Sequence, residues 1–154
     1  MLTFLSQTEK SALEKLDYEY NTLMSSLHVS VSKHLLDEHF TVIWANDFYY
    51  EKIGYPKEEY ERLFHNHVDE YFRDAPELLE PIVAVVMKAL NGAERRYETI
   101  CRMPQKGGSH MWTHLVGTFT NERINGLPVV YTVFTDVTDL VQTQMEKWIT
   151  YDNL

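Results

Sequence analysis

A chain of 154 residues, 44% hydrophobic and 13% aromatic, holds enough apolar material for one packed domain, and this excludes a disordered chain. With 23 acidic against 14 basic residues and a formal charge of -9, the chain repels phosphate backbones, which argues against nucleic acid as a partner. The single cysteine, Cys101, excludes an internal disulfide and fits a reducing compartment.

The N-terminal stretch lacks the basic and apolar regions of a secretory signal. No apolar run reaches the ~20 residues that span a bilayer. A cytoplasmic protein without a membrane partner is therefore expected. Arg95, Arg96, Arg102 and Lys106 make the nearest approach to a basic patch, but in alternating strand positions they read as a solvated face.

In chain order, residues 7–27 predict an amphipathic helix. Leu13, Leu16, Tyr20, Leu23 and Leu27 recur at +3 and +4, a two-heptad seam suited either to pairing with another helix or to packing on its own domain. From His28 the period changes to two, and "HVSVSKHLL" and "FTVIWA" read as strands joined by a turn at "DEH". Asn46 or Asp47 can cap a short helix over "DFYYEKI", which Gly54 stops. Pro56 opens a second helix, "PKEEYERLF", and "HNHVDEYF" forms a short connecting segment. The longest internal helix, "APELLEPIVAVVMKALNG", has Pro76 in its first turn and closes at Asn91-Gly92.

Beyond Gly92 the pattern is strand and turn. "AERRYETICRM" alternates, "PQKGGS" turns, and "HMWTHLVGTFTNERI" is a long strand. Asn125-Gly126 signals a tight hairpin before "PVVYTVFTDV". A final amphipathic segment carries Leu140 or Val141, Met145 and Trp148 on one face. Five strands with the helices grouped on one side predict an α+β fold.

Those residues in that order resemble the PAS sensory domain over about Val29 to Thr138. The resemblance rests on "IWANDFYYEKIGYPKEEY" in the first half and "KGGSHMWTHLVGTFTNERINGLPVVYTVFTDVTDL" in the second. It implies a five-stranded antiparallel sheet with short helices on one side, flanked by N- and C-terminal helices. It also implies three parts: a dimerising helix over 1–27, a PAS domain over 28–138 and an output helix over 139–154. The family's pocket binds a small molecule or cofactor, or is filled; the signal leaves through the helix after Asp-x-Thr, here Asp136 and Thr138. The terminal "KWITYDNL" resembles the lead into a GGDEF diguanylate cyclase domain, matched at Asp152 and Leu154, which points to a covalently linked output domain. A histidine kinase output is the alternative.

The family's flavin photosensors carry a reactive Asn-Cys-Arg motif on the helix between the strand pairs. Cys101 instead follows that helix, on a strand, which argues against a flavin adduct. Haem-binding members take an axial histidine from the long helix, which has none here; Met87 is the substitute ligand, and haem is not expected. His65 and His67 would need two further converging ligands to hold zinc, and His110 and His114 would meet only through the fold, so no metal site is predicted. No nucleophile-and-base set is present; an enzyme would have to use His65 or His114 with Glu70, Asp69 or Tyr71.

Binding remains. The predicted pocket lining is Phe64, Val68, Tyr71 and Phe72 from the connecting helices and Val83, Val86 and Met87 from the long helix. Ile100, Leu115, Tyr131 and Val133 come from the later strands, and Tyr71, Tyr131, His114 and Thr99 are the candidate orienting groups. The expected function is a signal-sensing module, homodimeric through Leu13, Leu16, Tyr20, Leu23 and Leu27, with an unidentified small-molecule ligand. The alternatives are a dimerisation module with a filled core and a small stand-alone enzyme.

Overall fold

A computed structural model describes residues 6–152, with the side chains of residues 21 and 148–152 outside the description. Trp148, assigned from sequence to the apolar face of the last helix, and Leu154 therefore lie outside the described residues. The chain runs α1 (Gln7–Leu27), β1 (Ser30–Leu35), β2 (Val42–Ala45), α2 (Asp47–Ile53), α3 (Lys57–Phe64), α4 (Val68–Tyr71) and α5 (Pro76–Asn91). It continues through β3 (Arg96–Pro104), β4 (His110–Ile124), β5 (Leu127–Asp136) and α6 (Thr138–Asp152). The strands form one five-stranded sheet in the order β2-β1-β5-β4-β3, every neighbouring pair antiparallel.

Local chemistry sets the boundaries. Ser6 caps α1, its Oγ accepting from the Glu9 amide at 3.1 Å. Asn46, not Asp47, caps α2, its Oδ1 accepting from Tyr49 N. The same carboxamide accepts from Val31 N at 3.0 Å and donates to Val29 O at 2.9 Å, so one side chain joins the start of the sheet to the start of the helices. Gly54 ends α2 at φ +87°, a left-handed conformation that glycine adopts without Cβ strain. Asn125 and Gly126 both take positive φ, the turn whose twist matches a two-residue hairpin.

The helices α2 to α5 lie across one face of the sheet. Their apolar sides meet the inward strand residues in a single core that contains Ile53, Tyr60, Phe72, Met111 and Phe134, each almost fully buried. The aromatic rings in this core pack largely edge to face: Tyr49 on Tyr60 at 5.7 Å, Phe64 on Tyr71 at 5.1 Å. Gly117 lies on β4 directly opposite Tyr97 on β3, and the tyrosine ring covers it so closely that a Cβ there would stand 1.8 Å from a ring carbon.

The flanking helices are otherwise disposed. On α1, Met24 is buried, while Leu13, Leu16, Tyr20, Leu23 and Leu27 are 51–62% exposed, so the seam is not consumed by the chain's own core. Leu140 and Met145 on α6 are likewise exposed. Among the described residues no helix is long and apolar enough to cross a membrane.

Candidate functional site

Between the sheet and its helical cover lies a partly open, mostly apolar cavity of about 70 Å³. Val68, Tyr71 and Phe72 close it from the α4 side, and Leu79, Ile82, Val83 and Val86 line it from α5. The sheet contributes alternate residues of each strand: Ser32 and His34 from β1, Tyr97 and Met103 from β3, Leu115 from β4, and Val130, Thr132 and Phe134 from β5. Ordinary ligand pockets enclose about 300–1,000 Å³, so this cavity admits only a few heavy atoms while its aromatic walls stay in place.

Of the residues assigned to the pocket from sequence, Val68, Tyr71, Phe72, Val83, Val86 and Leu115 do line the cavity. Phe64 is buried in the same core but stands behind Tyr71. Thr99 shares the inner face of β3 without reaching the cavity. Ile100, His114, Tyr131 and Val133 require correction, because all four point from the opposite face of the sheet. Ile100 is 58% exposed and Val133 37%. His114 Nε2 pairs with Glu98 Oε1 at 2.5 Å, and that contact holds the Glu98 carboxyl below its ordinary range. Tyr131 donates to Glu122 at 3.3 Å, beside Lys33. Met87 also needs correction, since it stands on the solvent side of α5, 39% exposed. The cause is common to the strand residues: both sheet faces carry apolar side chains, so alternation alone does not say which face is inward.

The polar groups that do face the cavity include two that sequence reasoning missed, Ser32 and His34. His34 Nδ1 lies 3.1 Å from the Phe40 carbonyl and therefore carries the ring proton, leaving Nε2 to accept from the Ser32 hydroxyl at 2.8 Å. Burial pushes the His34 imidazole below its ordinary pKa, against the opposing effect of the Phe40 carbonyl. Tyr97 and Thr132 hydroxyls approach to 3.3 Å, and the Tyr71 hydroxyl donates to the Pro104 carbonyl. The Tyr49 and Tyr60 hydroxyls pair at 2.9 Å, and burial drives both phenols well above their ordinary range. The signal for His34 was its place in "SVSKHL", on the same alternation as Ser30 and Ser32.

Comparison with known proteins bears on this architecture. No family model matches the chain, and no curated protein matches it. Solved structures do. The PAS domain of a protein from Colwellia psychrerythraea is 16% identical, covers 80% of this chain and 98% of its own, and superposes with a TM-score of 0.59. A sensory-box histidine kinase/response regulator from Burkholderia thailandensis is 12% identical over 88% of this chain and 96% of its own, with a TM-score of 0.66. The LOV domain of a blue-light-activated histidine kinase from Erythrobacter litoralis is 14% identical over 71% and 96%, with a TM-score of 0.53.

The fold is that of a PAS domain.

In this PAS fold a flavin does not fit. Its ring system exceeds a cavity of about 70 Å³, and Cys101 is not among the lining residues. Cys101 instead packs in the core with its Sγ 3.2 Å from the Thr113 hydroxyl, and burial pushes the thiol pKa up, away from reactivity. Nor do the residues suit haem: Met87 faces outward, and both ring nitrogens of His34 are engaged.

The end of the PAS sheet is joined to α6 by short polar contacts. Asp136 Oδ1 accepts from Thr138 N at 2.9 Å, and Thr138 Oγ1 in turn accepts from Trp112 N at 3.0 Å. Val137 N donates to the Trp112 carbonyl at 2.8 Å. The first residue of α6 is thus bonded to β4, two strands' width from the hairpin of β1 and β2, and cannot turn without moving β4. His65 and His67 both approach Glu70 Oε2, at 2.9 and 3.2 Å, and the His67 ring also stacks on His39.

Proposed function

We propose that this chain is a sensory PAS module that reads a very small ligand or cue at the sheet-helix cavity and relays it through α6 to a covalently linked output domain. The observation that carries the proposal is the direct bonding of α6 to β4 through Asp136, Thr138 and Trp112, on the sheet whose other face walls the cavity. A change in sheet packing under Leu115 or Phe134 then becomes a rotation of α6, because no flexible residue intervenes. The Ser32, Tyr97 and Thr132 hydroxyls supply the orienting hydrogen bonds, Ser32 held by His34, and the phenylalanine and tyrosine rings supply the contact area.

Dimerisation through the α1 seam completes the reading, since Leu13, Leu16, Tyr20, Leu23 and Leu27 present apolar surface at helical spacing. The output is a diguanylate cyclase on the strength of the terminal "KWITYDNL". Solution mass spectrometry of small molecules released on denaturing the purified protein tests the ligand. Regulation of the full-length protein's output tests the relay: Asp136→Ala should uncouple output from the cue while moving the melting temperature little. A stability loss with regulation intact would refute the relay.

The cavity's small size favours one second reading, a PAS dimerisation module whose core is filled. That reading predicts no released molecule and an unaltered α1 dimer.

A further inference from the structure

The loop between β1 and β2 and the link between α3 and α4 meet beside the rim of the cavity, and they bring one histidine to two groups that lie 28 and 30 positions further along the chain. His39 comes from the loop, His67 from the link and Asp69 from the first turn of α4. One donor atom from each lies within 4.8 Å of the others. We propose that His39, His67 and Asp69 form a binding site for a divalent first-row transition ion of the zinc type.

Three observations bear on the assignment. Two imidazoles and one carboxylate are the donor set that such ions prefer over calcium or magnesium, and three protein ligands leave a fourth position for water or a further group. The two imidazoles are stacked with their centroids 3.9 Å apart and their planes within 5°. Donors on one tetrahedral ion at bonds of 2.0–2.1 Å are separated by roughly 3.3 Å and the ion lies in the plane of each ring it binds, so one of the two half-buried rings must turn out of the parallel stack for both to ligate it. His67 Nδ1 is withdrawn from solvent without a hydrogen bond, Glu70 Oε2 standing 3.2 Å away but outside hydrogen-bonding geometry. Such an unpartnered buried nitrogen is a free donor that a turn of the ring can offer to a cation.

The site is also built rather than incidental. The Val68 amide donates to the His39 carbonyl at 3.0 Å and the Val42 amide to the Asn66 carbonyl at 2.7 Å, which fixes one ligand segment against the other. Asp37 accepts from the amides of His39 and Thr41 and from the Thr41 hydroxyl, which holds the loop itself. Phe40, His65 and Asn66 all occupy left-handed backbone, at φ 50°, 55° and 58°, so the two ligand segments hold a conformation that their residues would not choose alone. The three ligand side chains are 27–39% exposed, open enough for an ion to enter. Asp69 Oδ2 lies 2.8 Å from His39 Nδ1, and an ion takes the place of the proton they share. Glu38, 3.3 Å from His39 Nε2, is the nearest further carboxylate.

The consequence is mechanical. Phe40 and Val68, next to the ligands in the chain, line the cavity. An ion at this site therefore crosslinks the β1–β2 loop to α4 at the cavity rim. The inference does not depend on the sensory reading, since it concerns ion binding alone.

Titration of the protein with zinc chloride by calorimetry should show one saturable site per chain, with a rise in melting temperature as the ion binds the folded state. Cobalt(II) should give the visible absorption of a four-coordinate site. His67→Ala and Asp69→Asn should each weaken zinc binding at least tenfold, whereas His110→Ala with His114→Ala should leave it unchanged. Nitrogen-detected histidine spectra of the unaltered protein give an answer that does not depend on any variant folding: zinc should move the ring signals of His39 and His67. Absence of saturable binding, undiminished affinity in the His67→Ala variant, or movement of other histidines alone would overturn the assignment.

Discussion

Gly117 shows how a single residue is fixed by what lies across the strand rather than by its own backbone. The Tyr97 ring occupies the space a side chain would take, with a built Cβ 1.8 Å from one ring carbon and 2.2 Å from another. Gly117→Ala must displace a buried tyrosine and should destabilise the domain by about 1–3 kcal/mol, the usual cost of overpacking, as read from urea unfolding. A change within about 0.5 kcal/mol would mean that the ring swings aside freely. His34 supplies a pH-dependent counterpart. Its folded pKa is lowered from the ordinary 6.5 by burial, so the unfolded chain binds the proton more readily. The stability it contributes is complete above about pH 6.5 and is lost as the pH falls through the folded value. His39, raised by its hydrogen bond to Asp69, acts in the opposite sense. The difference between the unaltered protein and His34→Gln isolates the buried ring: melting curves between pH 8 and 5 should fall less steeply in the variant.

Asn46 is the corresponding hinge between elements. The sequence offered Asn46 and Asp47 equally as the α2 cap, and only the tertiary contacts separate them. Asn46 serves the Tyr49 amide, the Val31 amide and the Val29 carbonyl at once, whereas Asp47 is an exposed first-turn acid. Asn46→Ala should therefore cost about 2–3 kcal/mol, a cap of about 1 plus backbone groups left unpaired in a part-buried place. Asp47→Ala should cost only the few tenths typical of a favourable charge near a helix start. Equal losses in chemical denaturation would mean that the sheet-side bonds carry no weight. Element boundaries were otherwise legible at this scale. Caps, glycine stops and the Asn125-Gly126 turn depend on neighbours in the chain, and the sequence displays those.

For the molecule as a whole, the main open surface is the seam on α1. Five large apolar residues at helical spacing are more than half exposed, while the sheet and helices α2 to α5 close their core without them. If two copies pair along this seam, Leu16→Glu with Leu23→Glu should convert a dimer into a monomer in sedimentation velocity. The domain's own unfolding midpoint should move little, because neither leucine enters the core. A mass unaffected by the double substitution would refute pairing through α1. The acidic balance of the chain does not oppose such pairing, since the apolar positions of α1 are flanked by both Lys10 and Lys15 and by Glu9, Glu14 and Glu19.

By itself the sequence determined the order and type of the elements, α4 excepted, which it read only as a connecting segment, and, through the PAS resemblance, their arrangement in space. Those features depend on periodicity, caps and turns, which act over a few residues. It also supplied a third of the cavity wall, Val68, Tyr71, Phe72, Val83, Val86 and Leu115, most of it on helices whose single apolar face points inward. Tertiary structure alone decided the rest. It chose the inner face of β5, so that Val130, Thr132 and Phe134 rather than Tyr131 and Val133 face the cavity, because register across the sheet is set by strands distant in sequence. It filled that cavity to about 70 Å³, a matter of side-chain packing that no local pattern encodes. And it joined His39 to His67 and Asp69 across 28 and 30 positions, turning scattered histidines into a cluster with the donor set of a metal site.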